Sequence, residues 1–113
     1  MTIVNKKIAF QQPISQQFQI LAQLYQQEQA GEIITRTLLK ILEYEKNTNI
    51  KQLDELKEDV CSFEKQYNIK SDKFFEEFQN GKMGDKMDYI EWASLIQMIE
   101  RIEQKIAILS GQS

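Results

Sequence analysis

The sequence predicts an all-α protein: an elongated antiparallel helical hairpin, made of a long helix and a C-terminal helix, with a short crossing helix and an N-terminal helix. Three observations lead there. Breakers are scarce in the 113 residues, with four glycines and one proline, and a chain so poor in them favours helix. Apolar residues recur at helical spacing over most of the length. Two of these runs hold a heptad frame and are separated by a chain-reversing connection. The composition, 42% apolar and 27% charged, is that of a globular chain.

Residues 1–12 are predicted as an N-terminal arm or short strand, because Ile8 and Phe10 share a strand face around Lys6-Lys7. Residues 13–113 are predicted as one helical domain. Its first helix, 13–30, begins with Pro13, which suits a first turn. It carries Ile14, Phe18, Leu21 and Tyr25 at 4-3-4 spacing, and Gly31 is its expected stop. Nine of the 19 residues from Gln11 to Gln29 are glutamine, and Glu28 is the only charge among them. Two readings stand side by side: an uncharged solvated face, since Gln forms helix well, or a face built for burial against protein, since Gln costs less to desolvate than Lys or Glu.

Residues 32–67 contain no Gly or Pro. Thr35, Leu39, Leu42, Leu53, Leu56, Val60, Phe63 and Tyr67 fit one heptad frame, with Lys46 and Asn49 in the remaining seam positions. A continuous helix here would be about 54 Å long. Asn47-Thr48-Asn49 is its weak point, readable as a kink, an exposed turn or a register-setting polar layer.

Ser71 reads as the N-cap of a short helix, 72–79, crowded by Phe74, Phe75 and Phe78 and closed by Asn80-Gly81. After a loop through Gly84, Asp88 and Glu91 form a capping-box-like start for the last helix, 89–109. There Trp92, Leu95, Ile99, Ile102, Ile106 and Leu109 repeat 3-4-3-4-3. At about 32 Å this helix can cover only the 50–67 half of the long one. The 35–46 half and the first helix then need other company: each other, a second copy, or a different protein.

Absences narrow the chemistry. The chain has no histidine, so Ser-His-Asp and Cys-His arrangements and Glu-x-x-His metal sites are excluded. Cys61 is single, which allows no intrachain disulfide and fits a reducing compartment. No GxGxxG or GxxxxGK[ST] loop occurs. Asn80–Glu91 has the length of a calcium loop, but Lys82 and Gly84 stand where oxygen ligands belong and Asp85 where the turn glycine belongs. No cofactor, metal or catalytic residue is therefore expected, and a carboxylate-only enzyme is the weakest reading. Net charge is −3, and Lys6-Lys7 alone are little support for nucleic-acid binding. No apolar run reaches the roughly 20 residues of a membrane span, and MTIVNKKIAFQQ lacks the apolar core of a signal peptide. The expected address is the cytoplasm.

From Ile34 to Leu109 the sequence resembles a family of small helical proteins of cyanobacteria, other bacteria and archaea, encoded beside small toxins and regarded as antitoxins. The resemblance rests on Phe63, Glu64 and Tyr67, on Ser71, Phe74, Phe75 and Phe78, and most specifically on Gly81, Gly84-Asp85, Asp88, Ile90 and Glu91-Trp92-Ala93. It covers about two-thirds of the chain; the Asn47–Asn49 patch departs from it. It implies an antitoxin that neutralises a cognate toxin by direct helical binding and can repress its own operon. Physical reading agrees on a binding protein, since the chain has more apolar seam than it can cover alone. Ile14, Phe18, Leu21, Leu39, Leu42 and Trp92 are the expected partner-binding residues, in a homo-oligomer (a dimer) or a hetero-oligomer. Phe74, Phe75, Phe78, Gly81, Gly84, Asp88, Tyr89 and Glu91 are the expected structural corner. The alternative is a homodimeric coiled-coil scaffold with no toxin partner.

Overall fold

A computed structural model describes residues 13–111, and the arm or strand expected over 1–12 lies outside the described residues. Four helices follow one another: α1 (Ile14–Gln26), α2 (Glu32–Tyr67), α3 (Ser71–Gln79) and α4 (Met87–Leu109). No strand occurs among the described residues, so the all-α expectation holds. The chain divides into two compact units, with the boundary between Lys40 and Ile41, inside α2.

Each helix ends on a residue in the left-handed region: Glu28 at φ 58°, Asn68 at φ 54°, Gly81 at φ 73° and Gly111 at φ 80°. After α1 the Glu28 N–H donates to the Tyr25 carbonyl at 3.0 Å and the Gln29 N–H to the Leu24 carbonyl at 2.8 Å. This is the paired bonding of a Schellman stop. It corrects two expectations: α1 ends at Gln26 rather than 30, and a glutamate, not Gly31, makes the turn. Four apolar side chains, Leu21, Leu24, Ala30 and Leu38, are only half-buried in this unit, and no residue from 13 to 40 is buried.

The second unit holds the core. Here α2 and α4 run antiparallel, and α2 passes through Asn47-Thr48-Asn49 without interruption. The patch is not an exposed turn: Asn49 is 4% exposed in the seam, and its amide donates to the Glu45 carbonyl of its own helix at 2.6 Å, a bond that sets no register with α4. Lys105 pairs with Glu45 at 3.3 Å and Lys57 with Glu103 at 3.6 Å. The α4 helix, 23 residues and about 34 Å long, therefore reaches more than a turn beyond the 50–67 stretch expected of it, to Glu45.

The seam is closed along Lys46, Asn49, Leu53, Leu56, Val60, Phe63 and Tyr67, all buried or half-buried, and open at Leu39 and Leu42. Val60, Phe74, Trp92 and Ala93 form the buried cluster, with Phe63, Tyr67, Phe75, Phe78, Met83 and Tyr89 packed against it. The core thus sits at the corner where α3 crosses the end of the hairpin.

Candidate partner-binding surface

Three helices build the corner, and they do so differently from what local sequence suggests. Trp92 is fully buried, stacked on Phe74 at 3.9 Å between ring centroids and 3° between planes, with Phe63 also stacked at 5.6 Å. Its indole N–H donates to the Ser71 hydroxyl at 3.0 Å. Trp92 is a core group and not the partner-facing anchor expected of it, since no part of the ring is left to touch another chain.

Ser71 does not cap α3. Lys70 takes the cap position with no side-chain bond, Ser71 is the first helical residue, and its hydroxyl is taken by Trp92. Its backbone N–H is satisfied from another helix, by the Glu64 carboxylate at 2.8 Å. Nor do Asp88 and Glu91 form a capping box. Lys86 holds the N-cap of α4 with no side-chain cap bond, and Glu91 is exposed. The Asp88 carboxylate is drawn instead to the Tyr67 hydroxyl and, at 3.5 Å, the Gln66 amide. The carboxylate still lies in the first turn of α4, where the helix dipole favours it.

The Tyr67 hydroxyl bond to Asp88 raises the phenol above its ordinary 10.0, with the Lys86 ammonium opposing. Lys86 lies 4.9 Å from the Tyr67 ring centroid and 5.7 Å from that of Tyr89, and the Tyr67 oxygen raises it above 10.5. Gly81 and Gly84, at φ 73° and 80°, supply the left-handed turns of the loop between α3 and α4. Phe75, Phe78 and Tyr89 are half-buried against the cluster. Of the expected corner residues, Phe74, Phe75, Phe78 and Tyr89 are packed together and Asp88 joins them through Tyr67, while Gly81, Gly84 and Glu91 are exposed.

The first unit has the opposite character. Between α1 and the first turns of α2 lies a groove of about 360 Å³, lined chiefly by Phe18, Leu21, Tyr25, Ala30, Ile34 and Leu38. Phe18 is 59% exposed, and Ile14 and Tyr25 are exposed as well. Leu39, 60% exposed, stands outside the groove lining. In the second unit Leu42 is exposed too. Of the expected partner-binding residues, then, Phe18 and Leu21 share the groove, while Ile14, Leu39 and Leu42 are open surface outside its lining. Sequence reasoning missed Tyr25, Ile34 and Leu38 as groove residues, although Tyr25 lies on the stripe of Ile14 and Phe18.

No buried carboxylate occurs among the described residues, and no cluster of three or more His, Cys, Asp or Glu among them could hold a metal. No helix among them is long and apolar enough to cross a membrane. Comparison with protein-family models, with curated proteins and with solved structures yields no match to this chain.

Proposed function

We propose that this chain is a non-catalytic, antitoxin-like binding protein of the cytoplasm that neutralises a cognate toxin by packing apolar helical surface against it. What supports the reading is one observation: residues 13–40 present Ile14, Phe18, Tyr25, Ile33, Ile34 and Leu39 as exposed apolar side chains and bury none of them. Apolar surface at this density marks a protein contact. Chemistry offers less support to an enzyme, because a general acid or base tuned to neutral pH needs a desolvated or paired environment.

The test is co-expression with the product of the adjacent gene in a growth-rescue assay. Leu39→Asp places a charge on the open ridge of α2 and is expected to abolish rescue, while the helical signal and melting of the second unit stay unchanged. Full rescue by that variant removes Leu39 from the partner contact; absence of any toxicity from the neighbouring product removes the antitoxin reading itself.

A further inference from the structure

The exposed apolar face of the first unit has a charge balance that selects among occupants. The α1 helix carries no charged residue. Between 13 and 40 the charges are Glu28, Glu32, Arg36 and Lys40, two of each sign, and Arg36 pairs with Glu32 one turn away on the same helix. Residues 41–111 hold fifteen acidic against ten basic side chains. A surface of the second kind repels its own copy, whereas the balanced 13–40 stretch meets an identical one without like-charge cost.

We propose that a second copy of this chain closes the groove of the first unit, giving an isologous dimer. This rests on the reading of that face as a protein contact and names its occupant; it requires no toxin. Self-complementarity is what a two-fold contact demands, since the same patch serves both partners. Phe18, Leu21 and Tyr25 of one copy enter the groove of the other. Gln26, the glutamine in the groove lining, carries both a donor and an acceptor, so its amide can pair with its counterpart across the axis. The ridge at Leu39 stands outside the groove lining and is left for the other partner.

Size bounds the strength. The 13 residues of α1 span about 20 Å, and two helices lying about 10 Å apart make a face of roughly 20 by 20 Å. That is at the small end of specific interfaces, where complexes are weak and transient. The dimer is therefore a micromolar one, populated reversibly.

Sedimentation velocity of the full-length chain, from low micromolar to several hundred micromolar, tests it. The weight-average mass is expected to rise from one chain to two. Phe18→Glu brings two carboxylates into one apolar contact and is expected to weaken association roughly 100-fold. Tyr25→Glu should do the same, and it serves as the second variant should the first lose helix. Ile108→Glu, at a 65% exposed position of the second unit, should leave association intact. A one-chain mass across the whole range overturns the proposal, whatever then covers the groove; so does a dimer indifferent to both groove variants or broken by Ile108→Glu. If the chain stays monomeric and Leu39→Asp still abolishes neutralisation, the dimer fails and the toxin-binding reading stands. A dimer without a toxin supports the dimer alone.

Discussion

Phe74→Ala tests where the stability of the second unit resides. Phe74 is fully buried, with Trp92 stacked on it at 3.9 Å and Phe78 and Tyr89 at 5.6 and 5.7 Å. An aromatic side chain buries about 150–250 Å². At about 25 cal/mol per Å² that is roughly 4–6 kcal/mol for the whole ring, part of which the alanine retains. Adding the lost stacking, and allowing for partial collapse of the cavity, gives a net loss of about 4 kcal/mol. That is most of the stability of a marginal small domain. Trp92 is the only tryptophan, so its emission reports this corner directly. In urea, with a slope of about 1.5 kcal/mol/M, the Trp92 transition should fall by more than about 2 M, and far-UV circular dichroism should fall with it. Phe18→Ala, at a 59% exposed position, should move the same transition by less than about 0.5 kcal/mol. A loss below about 1 kcal/mol for Phe74→Ala, or a larger loss for Phe18→Ala, would refute the placement of the core at the corner.

Asn49→Leu is expected to leave the helix pair intact and raise the urea midpoint by about 1 kcal/mol equivalent. The buried amide bonds only within its own helix, and an apolar group of similar size removes its desolvation cost. Tyr67→Phe should change the pH dependence in one window. The native phenol holds its proton more tightly than the unfolded one because it donates to Asp88. That contribution is present below pH 10.0 and is lost as pH climbs through the raised native value. The difference between wild type and Tyr67→Phe in thermal melts should therefore shrink above pH 10.0; a difference that stays constant would exclude the linkage. Glu28→Gly relieves a side chain at φ 58° and should raise the helical signal and amide protection of α1 by about 0.5–1 kcal/mol.

The fold was legible wherever periodicity carried it. The 3-4 repeat from Trp92 to Leu109 and the heptad from Leu53 to Tyr67 fix the buried faces of α4 and α2, and the length mismatch between the two helices foretold that Leu39 and Leu42 would each be exposed. What local pattern could not reach were side chains recruited over distance. Asp88 reads as a cap by its neighbours, yet a hydroxyl 21 residues away claims it. Ser71 reads as a cap and serves an indole instead, while Glu64, which does cap α3, lies seven residues upstream on another helix. The end of α1 was misplaced because glycine is the usual left-handed stop and Glu28 is not. Asn49 offered two signals, its seam position and its polarity, and tertiary packing decided for the seam.

No residue from 13 to 40 has an interior of its own to settle into. Folding of the corner is unimolecular and local, so it runs at the same rate in a crowded sample and a dilute one. Seating that first stretch against another surface is a collision, and its yield follows how many molecules are present. On the proposed dimer, copy number becomes a structural variable: a tenfold dilution changes how much of the 13–40 stretch is covered while leaving the aromatic corner untouched.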